Sequence, residues 1–290
     1  MKFWLHIHNT EPEEGLELAH MAEQLGFEGV LSDDHWYLPT QKDPKDEHLG
    51  AAMPMNTIFP DITAFGATVL ATTKTLKYGS CVMILANRTN PFLVAKACST
   101  LARLSNDRFI LGVGIGWMKL EYDVAGVEWS TRAQRTEEMI EVLRKLWKPT
   151  PEDHHGKFFN FPATYALPTP KKPIPIYMGS FVPAALKRTG RIADGWMGRG
   201  APLPEIARQM ALVNEGRREA GREKEPFDFF VALPRREDGL MPTLDDYRRA
   251  EDIGLTTSKI GPIDHFLGKV GTTFDEKRRF VEDFAKRILR

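Results

Sequence analysis

The chain has 290 residues, and its 39 Lys plus Arg balance 39 Asp plus Glu, so no net field draws it to nucleic acid or an anionic membrane surface. Cys81 and Cys98 have no spacing suited to zinc or a redox disulfide, and no apolar run approaches the ~18 residues of a spanning helix. The start Met1-Lys2-Phe3-Trp4-Leu5 reads as a strand rather than a signal peptide, so a cytoplasmic protein without membrane or nucleic-acid partners is expected.

In chain order, strands and helices alternate. Phe3 to His8 reads as a strand, and Glu13 to Leu25 as an amphipathic helix closed by Gly26. Phe27 to Ser32 is the second strand, and Pro60 to Thr73 a helix with proline in its tolerant first turn. Leu76 to Ile84, Pro91 to Leu104 and Phe109 to Val113 continue as strand, helix and strand, followed by a helix from Arg132 to Trp147. Beyond a small hairpin at Phe158 to Phe161 come strand Ile174 to Met178, helix Pro183 to Ile192 and strand Gly195 to Met197. Helix Ile206 to Arg217, strand Phe227 to Leu233, helix Leu244 to Ile253, strand Ser258 to Ile260 and helix Phe274 to Leu289 complete the chain. Eight strand–helix units in 290 residues predict an α/β fold, a single (β/α)8 TIM barrel spanning residues 1–290.

The barrel reading makes strand ends the places to look for chemistry. Arg108-Phe-Ile-Leu-Gly-Val-Gly-Ile-Gly-Trp117 is a strand stopping at alternating glycines, which lets a flat ligand or phosphate lie against bare backbone. Trp117 stands where a P-loop needs Lys and then Ser or Thr, so a triphosphate cradle is excluded. After strand two, Ser32-Asp-Asp-His-Trp-Tyr37 sets an acid beside a histidine, a pairing that can position a proton donor. His6 and His8 share one strand face, as two imidazoles on one zinc would, with His265 a conceivable third ligand; packing and a pocket wall are the competing readings. Met178-Gly-Ser-Phe181 precedes a helix and could offer free N–H groups to a phosphate, or form an ordinary turn with Ser180 as cap.

In this order the motifs resemble the bacterial luciferase-like family. The match runs through Asp34-His35, Gly79-Ser-Cys-Val82, Asn90-Pro91, Leu104 to Trp117, Glu121, Gly126, Arg132, Arg135, Glu138, Leu146-Trp147 and Ala193-Asp-Gly-Trp196. The resemblance implies a barrel, usually dimeric, that holds coenzyme F420 or a flavin at its carboxyl face, and the compact chain looks most like the deazaflavin enzymes. It implies Asp34 at the cofactor ring and His35 as the acid–base residue. Cys81-Val82 matches a strand-three bulge whose non-proline cis peptide cups the ring. His8, Ile84, Ile115 and Gly116 would line the cofactor, with Gly179, Ser180, Phe181 and Val182 near its phosphate. Trp117 stands where the family's sugar-phosphate dehydrogenases carry Glu, which argues for an aromatic wall, shared with Trp36, around a different small-molecule substrate.

Hydride transfer asks a protein mainly for orientation and a proton source, which His35 can supply. The expected activity is therefore hydride transfer between F420 and a small organic substrate. The alternatives are an FMN-dependent luciferase-like monooxygenase, a zinc hydrolase built on His6 and His8, and a cofactor carrier without turnover. The loop from Asp33 to Phe59 is expected to shape the substrate pocket.

Overall fold

The computed structural model describes residues 1–41 and 54–289. Its elements are β1 (Lys2–Ile7), α1 (Pro12–Leu25), β2 (Gly29–Ser32), α2 (Ile62–Thr72), β3 (Lys77–Ser80), β4 (Met83–Ile84), α3 (Pro91–Leu104) and β5 (Phe109–Gly114). There follow α4 (Lys119–Val124), α5 (Arg132–Leu146), β6 (Glu152–His155), β7 (Asn160–Thr164), β8 (Ile176–Gly179), α6 (Pro183–Ile192), β9 (Gly195–Gly198) and α7 (Leu203–Glu219). The last are β10 (Asp228–Val231), α8 (Leu244–Asp252), β11 (Thr257–Ile260), α9 (Ile263–Leu267) and α10 (Phe274–Phe284).

The large sheet runs β3-β2-β1-β11-β10-β9-β8-β5-β4 with every pairing parallel, and β3 also pairs with β5, which closes the ring. Since β3 and β4 are two halves of one strand broken at Cys81-Val82, this is an eight-stranded barrel. Alternation along each strand sorts the side chains. Leu5, Val30, Leu111 and Val231 turn outward to the helices, while Trp4, Leu31, Ile110, Tyr177, Met197 and Phe230 fill the interior. His6 and His8 share the parity of Trp4, and Asp33 that of Leu31, so all three face inward at the carboxyl end.

The helices begin and end where their termini are satisfied. Pro12 opens α1 and Gly26 closes it at φ 89°, a conformation that glycine adopts without a Cβ penalty. Asn90 caps α3 by accepting from Phe92 N and Leu93 N. Thr273 and Glu276 form a capping box on α10. At the opposite, amino-terminal end of the barrel, the Arg108 guanidinium donates to the carbonyls of Leu70, Thr73 and Leu76, joining α2 to the start of β3.

Several elements depart from the sequence reading. The strand-four loop carries the helix α4, too short to show a hydrophobic period. The hairpin pairs Glu152–His155 with Asn160–Thr164, leaving Phe158 and Phe159 in its turn. The helix α9 follows the last strand, and α10 ends at Phe284, where the chain passes into a π-type turn. Ser180 is not a helix cap: the cap position is Val182, and the Ser180 hydroxyl bonds Thr189 Oγ1 at 2.8 Å inside the fold. Residues 42–53 of the loop assigned to the substrate pocket lie outside the described residues.

Candidate active site

The carboxyl ends of β1, β2, β3, β5 and β8 bring together most of the residues singled out in the sequence. The peptide bond joining Cys81 to Val82 is cis, as the resemblance implied. Both residues are half-buried, and Ile115, Gly116 and Gly179 around them are half-buried too. Phe181 and Val182 project further, 48% and 62% exposed.

The glycines of β5 serve a different purpose from the one their pattern suggested. A Cβ on Gly114 would lie 2.5 Å from Val82 Cγ2, so the bare backbone there is covered by Val82 rather than by a ligand. At Gly116, φ is +68° and a Cβ would stand 2.9 Å from Ile84 Cγ2. Ile84 is accordingly buried beneath the loop and supports it. The β5 glycines let the strand-three bulge pack inward, and the bulge forms an apolar shelf.

Asp34 is buried, and both its oxygens face Arg88 Nη2, at 3.0 and 2.9 Å. It also accepts from Ile84 N at 3.0 Å. Burial raises its carboxyl above the ordinary range, with Arg88 opposing. These bonds tie the end of β2 to β4, so Asp34 holds the far side of the shelf.

His35 is clamped at both ring nitrogens. Trp117 Nε1 donates to His35 Nε2 at 3.1 Å, which makes Nε2 an acceptor and leaves Nδ1 to carry the proton. Nδ1 lies 3.2 Å from Glu121 Oε1, which also accepts from Trp36 N at 2.8 Å. Glu121 has no exposed surface, and its Oε2 has no partner among the described residues. The ring is walled by Phe59 and Trp117, with centroids at 4.9 and 5.1 Å. Trp36 is 44% exposed at the rim, with the Arg88 guanidinium 5.5 Å from its ring.

Beside this, Asp33 bridges two imidazoles: His6 Nε2 at 2.8 Å and His8 Nδ1 at 2.5 Å, one on each carboxylate oxygen. Burial works to raise the Asp33 carboxyl, but the charges and hydrogen bonds of the two histidines outweigh it and hold it far below the usual range. For His8, burial lowers and Asp33 raises, and Asp33 prevails; for His6 burial prevails and keeps the ring neutral. The third member of the group proposed for zinc is thus Asp33, and His265 sits apart on α9, exposed and edge-on to Phe266. The nitrogens that a metal would need already face Asp33. His154 lies on β6 of the hairpin and pairs with Glu138 on α5.

Arg88, Glu121 and Lys259 were given no individual role by the sequence, and Asp33 and Phe59 only as the ends of the loop expected to shape the substrate pocket. Alternation from Leu31 marks Asp33 as inward-facing, and a lysine inside the short strand at Ser258 to Ile260 is itself anomalous. Glu121 stood in the family match without a role, because its helix and its contact with His35 were not foreseen. The shelf, half-buried and apolar with a polar clamp on one side, fits a flat heteroaromatic group.

Residues 2–235 match the model of the family described as luciferase-like monooxygenase. An uncharacterized protein of Mycobacterium tuberculosis is 33% identical over 282 residues, covering 94% of each chain. An F420-dependent glucose-6-phosphate dehydrogenase of Amycolatopsis mediterranei is 31% identical over 228 residues, 77% of this chain and 64% of that one. The crystal structure of the monooxygenase RslO1 from Streptomyces bottropensis superposes with a TM-score of 0.78 at 20% identity, over 100% of this chain and 99% of that one, a likeness of fold.

Proposed function

The chain belongs to the luciferase-like monooxygenase family of F420- or flavin-dependent oxidoreductases, and on that premise we propose that it transfers a hydride between coenzyme F420 and a small organic substrate. The observation that carries the reading is the clamped His35 beside the Cys81-Val82 shelf. The choice of F420 over FMN is supported by the Amycolatopsis relative. Family membership also displaces the zinc hydrolase.

In this proposal Cys81, Val82, Ile115 and Gly116 hold the ring, with Ile84 behind them and His8 at the inner edge. Gly179 to Val182 approach the phosphate, Ser180 through its backbone because its hydroxyl is engaged with Thr189. When bound, the cofactor supplies the hydride-accepting carbon. His35 handles the substrate proton: Nε2 accepts it once the substrate displaces the Trp117 N–H, while Glu121 fixes the ring through Nδ1. Asp34 acts as a positioning residue through Ile84 and Arg88. Trp36 and Trp117 wall the substrate pocket.

The glutamate that the family's sugar-phosphate dehydrogenases carry is replaced by Trp117, so the substrate proposed is a small alcohol or similarly uncharged molecule. A screen following F420 absorbance with secondary alcohols and sugar phosphates tests this. Turnover with sugar phosphates alone would refute the substrate class.

A homodimer is part of the same reading. The helix α2, on the outer surface of the barrel, contains no charged residue between Ile62 and Thr72, and Ala64, Ala67 and Ala71 are exposed. Neighbouring α3 exposes Leu93 and Leu104, at 67% and 83%. A second copy covering this face accounts for its composition, and light scattering should give twice the chain mass.

A further inference from the structure

Lys259 lies on β11 in register with Trp4, and so points into the barrel, above the apolar layer of Trp4, Leu31 and Phe230 and toward the inward-facing His6 and Asp33. It is half-buried, and its Nζ lies 3.6 Å from Cys81 Sγ. Among the described residues no carboxylate pairs with it. The acid of this part of the barrel, Asp33, is committed on both oxygens to His6 and His8. The Cys81 thiol is an uncharged partner, because burial pushes its ionisation upward despite the ammonium beside it. His6 is neutral, and His8 is turned to Asp33. Among the described residues, a half-buried ammonium therefore stands at the edge of the shelf with its charge uncompensated, an arrangement that costs free energy unless an anion completes it.

We propose that Lys259 is the counter-charge for the cofactor ring, stabilising the negative charge the ring gains when it takes up a hydride. A hydride brings one proton and two electrons, so the ring's charge falls by one in the transfer, whichever of F420 or FMN is bound. An ammonium fixed by the strand before the reaction needs no reorganisation to meet that charge. The proximity that carries this is Lys259 to Cys81, since Cys81 is half of the shelf. Lys259 thereby favours the reduced state of the cofactor over the oxidised one. The inference rests on the cofactor reading given above, but on neither the substrate nor the role of His35.

The test is anaerobic equilibrium titration of the whole protein with oxidised and with chemically reduced F420, and with both forms of FMN, in the absence of substrate. Wild type should bind the reduced form more tightly. Lys259→Met should weaken the reduced form by about tenfold or more and the oxidised form by less than about threefold, whereas Lys259→Arg should keep the preference. Lys259→Gln repeats the measurement should the methionine variant not fold. Equal weakening of both forms, or of neither, overturns the assignment while leaving the cofactor reading intact. Failure of wild type to bind either cofactor in either state overturns the cofactor reading itself.

Discussion

Trp117 donates its indole N–H to the Nε2 of His35 at 3.1 Å, across the mouth from β5 to the end of β2. With Glu121 at 3.2 Å on Nδ1, this sets the tautomer of the imidazole and fixes its orientation, with Nε2 as the acceptor. In the proposed reaction the residue that walls the pocket also caps the base until a substrate hydroxyl takes its place.

Replacing His35 with Ala should leave cofactor affinity within a few-fold and cut turnover on the order of 100-fold. Trp117→Phe keeps the wall but removes the donor that the substrate must displace, and one hydrogen bond of about 1 kcal/mol translates to a several-fold fall in KM with kcat little changed. Steady-state kinetics with separate cofactor titrations distinguish these effects. A His35→Ala protein that loses cofactor but keeps its specific turnover would make His35 a binding residue, with His8 next in line for the proton.

The Asp33 bridge gives stability a pH signature. The Asp33 carboxyl lies below its ordinary 3.8, so its contribution is present above that value and lost as pH falls through the folded one. His8 lies above its ordinary 6.5, so its contribution is present below 6.5 and lost as pH rises through the folded value. His6, lowered by burial, runs the other way, its share lost as pH falls. The His8–Asp33 pair is thus strongest between about pH 4 and 6.5. Asp33→Asn should cost about 3 kcal/mol at pH 6 and less at pH 8.5, measured by urea unfolding. A penalty that grows with pH would contradict this.

Gly114 and Val82 should be coupled. Gly114→Ala overpacks the shelf, where the new methyl would stand 2.5 Å from Val82 Cγ2, at a cost of about 1–3 kcal/mol and with weaker cofactor binding. Combining it with Val82→Ala should recover much of the stability loss, seen as a favourable interaction term in a double-mutant cycle. Additive effects would separate the two sites.

Arg108 should matter to the fold alone. Arg108→Met removes the donor to four backbone carbonyls at the amino end of the barrel, and unfolding should show a loss of about 2–3 kcal/mol with cofactor affinity unchanged.

The barrel was legible because its strands are short apolar runs divided by helices with clear periods and caps, as in Glu13 to Leu25 closed by Gly26. The positions Asp34, His35, Cys81 and Trp117 were legible as strand-end residues. Their contacts were not, because they are set by neighbours from distant strands. Asp34 meets Arg88 across 54 positions and His35 meets Glu121 across 86. The β5 glycines misled for a related reason. A missing Cβ signals close approach without saying what approaches, and here it is Val82. Lys259 passed unnoticed in a short strand until register placed it opposite Trp4.

The account's central claim is that the Cys81-Val82 shelf holds coenzyme F420. Side-by-side equilibrium titration of the purified protein with F420 and FMN, read by quenching of its tryptophan fluorescence, tests it most directly, since Trp117 and Trp36 border the site. The prediction is saturation at one F420 per chain with an affinity at least about tenfold tighter than for FMN. Tighter binding of FMN, or saturation by neither, would contradict it.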